Sequence, residues 1–275
     1  MDIEQKVAQH YSRSSLAQTI LGALKAVGKD VDRLTHADLA PVDEFHIGGR
    51  QATIDFAEHL GAKNGMHLLD IGCGIGGASR YFAIDRGCRV TGIDLTEDYV
   101  RTATVLSQHV GLADQVTYRQ ASALTLPFTN DTFDGAYMLH VGMNIADKTK
   151  LFTEVRRVLK PGGSFGIYDV MRENDDAFLY PVPWSAQPET NFIAAASDYK
   201  RALAIAGFEV GHERSRRDLA IQFFRQMRER MMEGAPSPLG LQIVMGETAS
   251  KKVANMIALL ERGVIAPTEI IARVT

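Results

Sequence analysis

His67-Leu68-Leu69-Asp70-Ile71-Gly72-Cys73-Gly74-Ile75-Gly76-Gly77-Ala78-Ser79 is an apolar run that stops abruptly in glycines, and its reading decides the fold. His67 to Ile71 is too short and too apolar for a surface helix, so it reads as a central strand covered on both faces. Glycines at alternate positions let the following backbone take φ > 0 and let a ligand approach where a Cβ would collide. A strand, a tight turn and the first turn of a helix make a nucleotide cradle.

The segment Gly72-Cys73-Gly74-Ile75-Gly76-Gly77 satisfies both G-x-G-x-x-G and G-x-G-x-G, so the glycines alone do not choose the nucleotide. Asp70 shifts the balance. A carboxylate just before the first glycine suits a cationic ligand group and would repel a pyrophosphate resting on the helix N-terminus. S-adenosylmethionine carries such a cation, its methionine ammonium. Asp94 closes the next strand, Arg89-Val90-Thr91-Gly92-Ile93-Asp94, at the place where doubly wound sheets bind the two ribose hydroxyls. NAD needs the same acid, so an NAD-dependent oxidoreductase stays as an alternative, disfavoured by Asp70.

Working outward, residues 2–28 carry apolar positions at helical spacing and read as two helices joined at Ser14-Ser15, the second ending at Gly28. With the aperiodic stretch up to residue 48 they form an N-terminal helical cap. Residues 49–275 form the nucleotide domain, which opens with a helix from Gly49 to Leu60. After the glycine turn, helices are expected at Ala78–Arg86, Glu97–Val110 and about Ala146–Leu159. Strands are expected at Val116–Gln120, Thr132–His140 and Ser164–Val170. This alternation is what right-handed parallel crossovers require.

The 275 residues, 45% of them hydrophobic, suffice for one large core plus an accessory region. A net charge of −3 and scattered Lys and Arg provide no basic field, which argues against nucleic acid as a partner. Cys73 and Cys88 have no metal-ligand spacing and suit reduced, buried thiols. No leader or membrane-length apolar run stands out, so a cytoplasmic protein is expected.

The blocks Leu69-Asp70-Ile71-Gly72-Cys73-Gly74-Ile75-Gly76, Gly92-Ile93-Asp94, Leu126-Pro127-Phe128 with Phe133-Asp134, and Arg157-Val158-Leu159-Lys160-Pro161-Gly162-Gly163 stand in a fixed order. Together they resemble the class I S-adenosylmethionine-dependent methyltransferases. The nearest branch is that of the small-molecule enzymes, which includes ubiquinone/menaquinone C-methyltransferases and sarcosine/dimethylglycine N-methyltransferases. The resemblance covers about residues 50 to 170. It implies an α/β Rossmann-like, doubly wound sheet of seven strands in the order 3-2-1-4-5-7-6, with strand 7 antiparallel. Gly207-Phe208-Glu209-Val210 would be the sixth strand, preceded by a helix from Ser197 to Ala206, and Glu269–Val274 the seventh.

Carried over residue by residue, the resemblance implies that Asp70, Gly72, Gly74 and Gly76 line the methionine end. Asp94 would bind the ribose and Leu95 pack on the adenine, with Ser122 and Ala123 at the adenine edge. The family usually has an acid where this chain has Ser122, which is a departure. Leu139 and His140 resemble the positions facing the reactive sulfonium. A second departure is the segment of about residues 211–268 between strands 6 and 7. Within it Leu219, Phe223, Phe224, Met227, Met231 and Met232 recur at helical spacing. That pattern reads as an amphipathic helix packed on the domain or on a second copy in a homodimer.

Because a methyl sulfonium is already activated, the protein has to align the acceptor, exclude water and remove one proton, and this needs no metal. His140 is the candidate for proton removal or acceptor orientation. Asn144 and Tyr168, beside Asp169, are further catalytic candidates. Tyr11, His46 and Arg50 from the cap, and Tyr180 and Trp184 from the proline-stiffened loop Tyr180-Pro181-Val182-Pro183-Trp184, are candidates for the acceptor site. Rings at Tyr11, Tyr180 and Trp184 would favour an amine by cation–π attraction, or clasp a flat phenol or quinol. The resulting expectation is methyl transfer from S-adenosyl-L-methionine, leaving S-adenosyl-L-homocysteine, to a small molecule. An amine stands ahead of a carbon or oxygen acceptor, and a catalytically silent cofactor-binding module is a further alternative.

Overall fold

A computed structural model of the chain describes residues 2–12, 15–233, 239–240, 242–246 and 248–275, without the side chains of 230–233 and 242. Ser14, at the expected helix joint, and the side chains of Met231 and Met232 lie outside the described residues. The apolar runs become seven strands: β1 His67–Ile71, β2 Arg89–Asp94, β3 Val116–Gln120, β4 Phe133–Leu139, β5 Leu159–Arg172, β6 Phe208–Ser215 and β7 Ile265–Val274. They form one sheet in the order β3-β2-β1-β4-β5-β7-β6, in which β7 runs antiparallel to both β5 and β6 and the other pairs are parallel. The expected fold class is therefore present.

The helices are α1 Ile3–Tyr11, α2 Leu16–Ala26, α3 His36–Asp43, α4 Gly49–Leu60, α5 Gly77–Arg86, α6 Glu97–His109, α7 Lys148–Val158, α8 Ala196–Ile205, α9 Arg217–Glu233, α10 Gln242–Met245 and α11 Ala249–Glu261. One face of the sheet packs against Leu151, Phe152 and Val155 of α7 and Tyr199 and Leu203 of α8. The other face packs against Phe56 and Leu60 of α4 and Tyr81 and Phe82 of α5. Cover on both sides explains why β1 and β4 read as apolar runs without alternation.

β6 continues to Ser215 and β7 starts at Ile265, so the insertion between them is residues 216–264, shorter than the sequence implied. Pro267 and the polar Thr268 hide the start of β7, expected only from Glu269. All three lie inside the sheet all the same, opposite Val170, Asp169 and Tyr168. Glu269 is buried and gathers the rings of His59 (2.5 Å) and His212 (3.2 Å) and the guanidinium of Arg216 (3.5 Å), which ties α4 to the β6–β7 pair.

The cap reaches the core through α2 and α3, whose Ile20, Leu24, Leu39 and Val42 are buried together with Tyr99 and Leu106 of α6. It is fastened by a fully buried ion pair between Arg80 of α5 and Asp43 at the end of α3, 2.5 Å apart. A Cβ on Gly77 would collide with the backbone of Asp43, so this glycine serves the approach of the cap. Helix α1, by contrast, has no buried residue.

Candidate active site

The parallel strands deliver Ile71, Asp94, Gln120 and Leu139 to one edge of the sheet, the edge where open α/β sheets take ligands. A cavity of about 340 Å³ lies there. Its lining includes twelve of the residues singled out from the sequence: Asp70, Gly72, Gly74, Asp94, Leu95, Ala123, Leu139, His140, Asn144, Tyr11, His46 and Trp184.

The glycines of the turn have separate reasons. At Gly72 (φ +70°) a Cβ would stand 2.5 Å from the Val141 side chain, so the missing side chain admits the loop after β4. At Gly76 a side chain would meet the Tyr118 hydroxyl and Arg80, and this residue does not line the cavity. Gly74 (φ +53°) has nothing within 4 Å of a Cβ, so its bare backbone faces open space. Asp94 accepts the Gly74 N–H at 2.9 Å and the Thr96 N–H at 2.8 Å, holding the turn in shape while facing the cavity.

Asp70 is buried and accepts hydrogen bonds on Oδ2 from the hydroxyls of Ser79 (2.6 Å) and Tyr137 (3.0 Å). Desolvation outweighs those bonds and pushes its pKa up to about 7.

His140 departs from the role of a base. Its backbone is left-handed (φ +58°), and both its N–H and its ring Nδ1 are held by the Tyr168 carbonyl, at 2.7 and 3.0 Å. A carbonyl only accepts, so Nδ1 carries the hydrogen, and Nε2 accepts the Ile47 N–H at 3.3 Å. Burial and the neighbouring His46 lower its pKa to about 3. An imidazole whose lone pair is engaged and whose basicity is so depressed suits a neutral wall group better than the base expected from sequence.

Tyr168 is placed away from the cavity, its hydroxyl donating to the Ile47 carbonyl at 3.0 Å. Asp169 accepts the N–H groups of Val141 (2.7 Å) and Gly142 (2.9 Å) and the Tyr199 hydroxyl (2.9 Å), so it builds the loop that carries His140. Asn144 lines the cavity with its Oδ1 accepting the Tyr11 hydroxyl at 3.2 Å, a link from the end of α1 to the β4 loop.

Two acceptor-site candidates are drawn elsewhere. Arg50 pairs with Glu44 at 2.8 Å, and the Tyr180 hydroxyl accepts from the Asn191 side chain at 2.8 Å; neither lines the cavity. Trp184 does, with its indole N–H satisfied by Asn191 at 2.9 Å so that ring carbon remains for contact. The insertion does more than pack: Phe223, Phe224 and Met227 of α9, Met245 of α10 and Val253 and Met256 of α11 join Met143 and Trp184 in the cavity lining.

Ser122 itself does not line the cavity. Its hydroxyl donates to the carboxylate of Glu4, which does. Sequence reasoning missed Glu4, although the signal was there: Glu4, Val7 and Tyr11 share one face of α1, and an acid interrupts an otherwise apolar stripe.

This donor set fits the cofactor that the resemblance implies. Bare backbone at Gly74 leaves room for close approach, Asp70 offers a carboxylate to an ammonium, and Asp94 retains lone pairs for hydroxyl donors.

Residues 69–167 match the family model described as a methyltransferase domain. A sterol 24-C-methyltransferase of Gibberella zeae is 36% identical over 124 residues, which is 44% of this chain and 33% of that enzyme. The chain spans half or less of the length of such curated relatives. Among solved structures, a geranyl diphosphate methyltransferase with geranyl diphosphate and sinefungin is similar over 100% of both chains (TM-score 0.73, 17% identity). The [4+2]-cyclase SpnF is similar over 98% of this chain and 96% of its own (TM-score 0.72, 22% identity).

Proposed function

We propose that this chain, whose residues 69–167 match a methyltransferase domain, is a class I S-adenosylmethionine-dependent methyltransferase that transfers a methyl group to a carbon or oxygen atom of an apolar small molecule. The observation that carries this reading is a single cavity with two chemistries. Asp70, Asp94 and the open backbone at Gly74 stand at one end, and a wall of Met143, Trp184, Phe223, Phe224, Met227 and Met256 stands at the other. Three further acids line the cavity, and each has a partner within the protein: Glu4 has Ser122, Asp43 has Arg80 and Asp147 has the Lys150 N–H. The six side chains of that wall offer ring faces and thioethers but no carboxylate of their own, which favours a less polar acceptor over the amine expected from sequence.

Bound S-adenosylmethionine would supply an already activated methyl group. Asp70 would hold its ammonium and Asp94 its ribose. Asp169 fixes the loop from His140 to Gly142, and neutral His140 closes the wall beside it. The apolar wall excludes water and aligns the acceptor. With the imidazole lone pair engaged, the acceptor that suits this site needs little help losing its proton: a phenol, an enol or an electron-rich alkene carbon.

The reading is tested by incubating the protein with methyl-labelled S-adenosylmethionine and a metabolite extract, then partitioning between water and organic solvent. Label entering the organic phase is expected. Label confined to water-soluble amines would restore the amine acceptor, and no binding of S-adenosylmethionine or S-adenosylhomocysteine would end the reading.

A further inference from the structure

Beside Asp94 lies a slot of the cavity lined by small and aliphatic side chains, Leu95, Ala121, Ala123 and Leu124. Leu95 follows Asp94 in the chain, and the loop after β3 that carries the other three is tied beside it, since the Ala121 N–H donates to the Asp94 carbonyl at 3.0 Å. The carboxylate at this slot belongs to Glu4 on α1, more than a hundred residues away in the chain. Glu4 is half-buried on the face of α1 that lines the cavity, between Ile3 and Val7, where its carboxylate is within reach of donors from the loop after β3.

Ser122 is one donor. Its Oγ accepts the Leu124 N–H at 3.0 Å, which orients the hydroxyl, and its single proton goes to Oε1 of Glu4. Oε2 of Glu4 takes no hydrogen bond among the described residues and remains for a second donor. A flat ring in the slot that presents an exocyclic amine at its rim would supply one.

We propose that Glu4 reads the exocyclic amine of the adenine ring, so that the cap helix delivers the acid which the loop after β3 lacks. This rests on the cofactor reading above and deepens it. Ser122 is then a positioning residue that acts through Glu4. Its neutrality is part of the arrangement, because a carboxylate at 122 would repel the one at 4. A ring carrying a carbonyl in place of the amine would set oxygen against oxygen, so the site should discriminate adenine from hypoxanthine.

Calorimetry with S-adenosylhomocysteine and with S-inosylhomocysteine, which differ at that group, tests this directly. Wild type should prefer the adenine compound, and Glu4→Ala should weaken it roughly ten- to a hundredfold while leaving the inosine compound little changed. The variant touches no buried residue of α1 and leaves the Asp2–Gln5 capping box intact, so folding is preserved. Ser122→Asp alone should weaken binding, whereas Glu4→Ala with Ser122→Asp should recover much of the discrimination by moving the acid onto the loop. A preference that survives Glu4→Ala overturns the assignment while the cofactor reading stands; a wild type that binds neither compound overturns both.

Discussion

A carboxyl enclosed as tightly as Asp70 prefers its proton, and two hydroxyl donors do not reverse this. Since its pKa is raised to about 7 from the ordinary 3.8, the stability it contributes is fully present below the ordinary value and is lost as the pH rises through about 7. A ligand ammonium needs the ionised form, so affinity moves the other way. S-adenosylhomocysteine binding should strengthen as the pH rises through about 7 and then level off, with proton release below that point, and Asp70→Asn should flatten the profile. Calorimetry in two buffers of different ionisation heat checks it. For His140, neutral and doubly engaged, His140→Ala should slow transfer by disturbing the loop but leave the shape of the pH–rate profile between roughly pH 6 and 9 unchanged. Loss of an ionisation limb in that variant would return the imidazole to proton transfer. Asp70, Gly74 and Asp94 were legible because their spacing is set within a single strand–turn–helix and the next strand. Glu4 was not, because its place depends on how a distant helix lands.

Between elements, the Asp43–Arg80 pair is the fastening that matters most, since both partners are fully enclosed. Removing one leaves an uncompensated charge. Asp43→Ala should therefore cost about 3–5 kcal/mol in urea unfolding, while Asp43→Leu combined with Arg80→Met should recover most of it. Additive losses in the double variant would mean that packing of α3, not the ion pair, holds the cap. The strands from β1 to β4 were readable to within about a residue because unbroken apolar runs end in glycine, proline or polar turns. β7 escaped at its start because Pro267 and Thr268 look unlike a central strand. The sheet accommodates them by pairing Pro267 opposite Val170 and Thr268 opposite Asp169, and it surrounds Glu269 with His59, His212 and Arg216. Tyr180 and Arg50 misled for another reason: composition identifies a ring or a cation, but the partner that claims it lies elsewhere in the chain.

Taken whole, the molecule is a sheet edge roofed by two pieces that the nucleotide core does not itself need, the N-terminal cap and the insertion of residues 216–264. On the proposed function the cap would close over the cofactor and the insertion would wall the acceptor, so affinity for the two ligands should be separable by mutation. Met227→Glu, on the partly exposed inner face of α9, should depress turnover of an apolar acceptor by roughly tenfold or more while S-adenosylhomocysteine affinity stays within about twofold. Equal losses in both would mean that the insertion supports the fold rather than the acceptor. Helix α1 buries none of its own side chains, yet it places Ile3, Glu4, Val7 and Tyr11 on the cavity. Substitutions on that face should consequently be felt in the ligand chamber and not in the core, shifting affinity while leaving the melting temperature where it was.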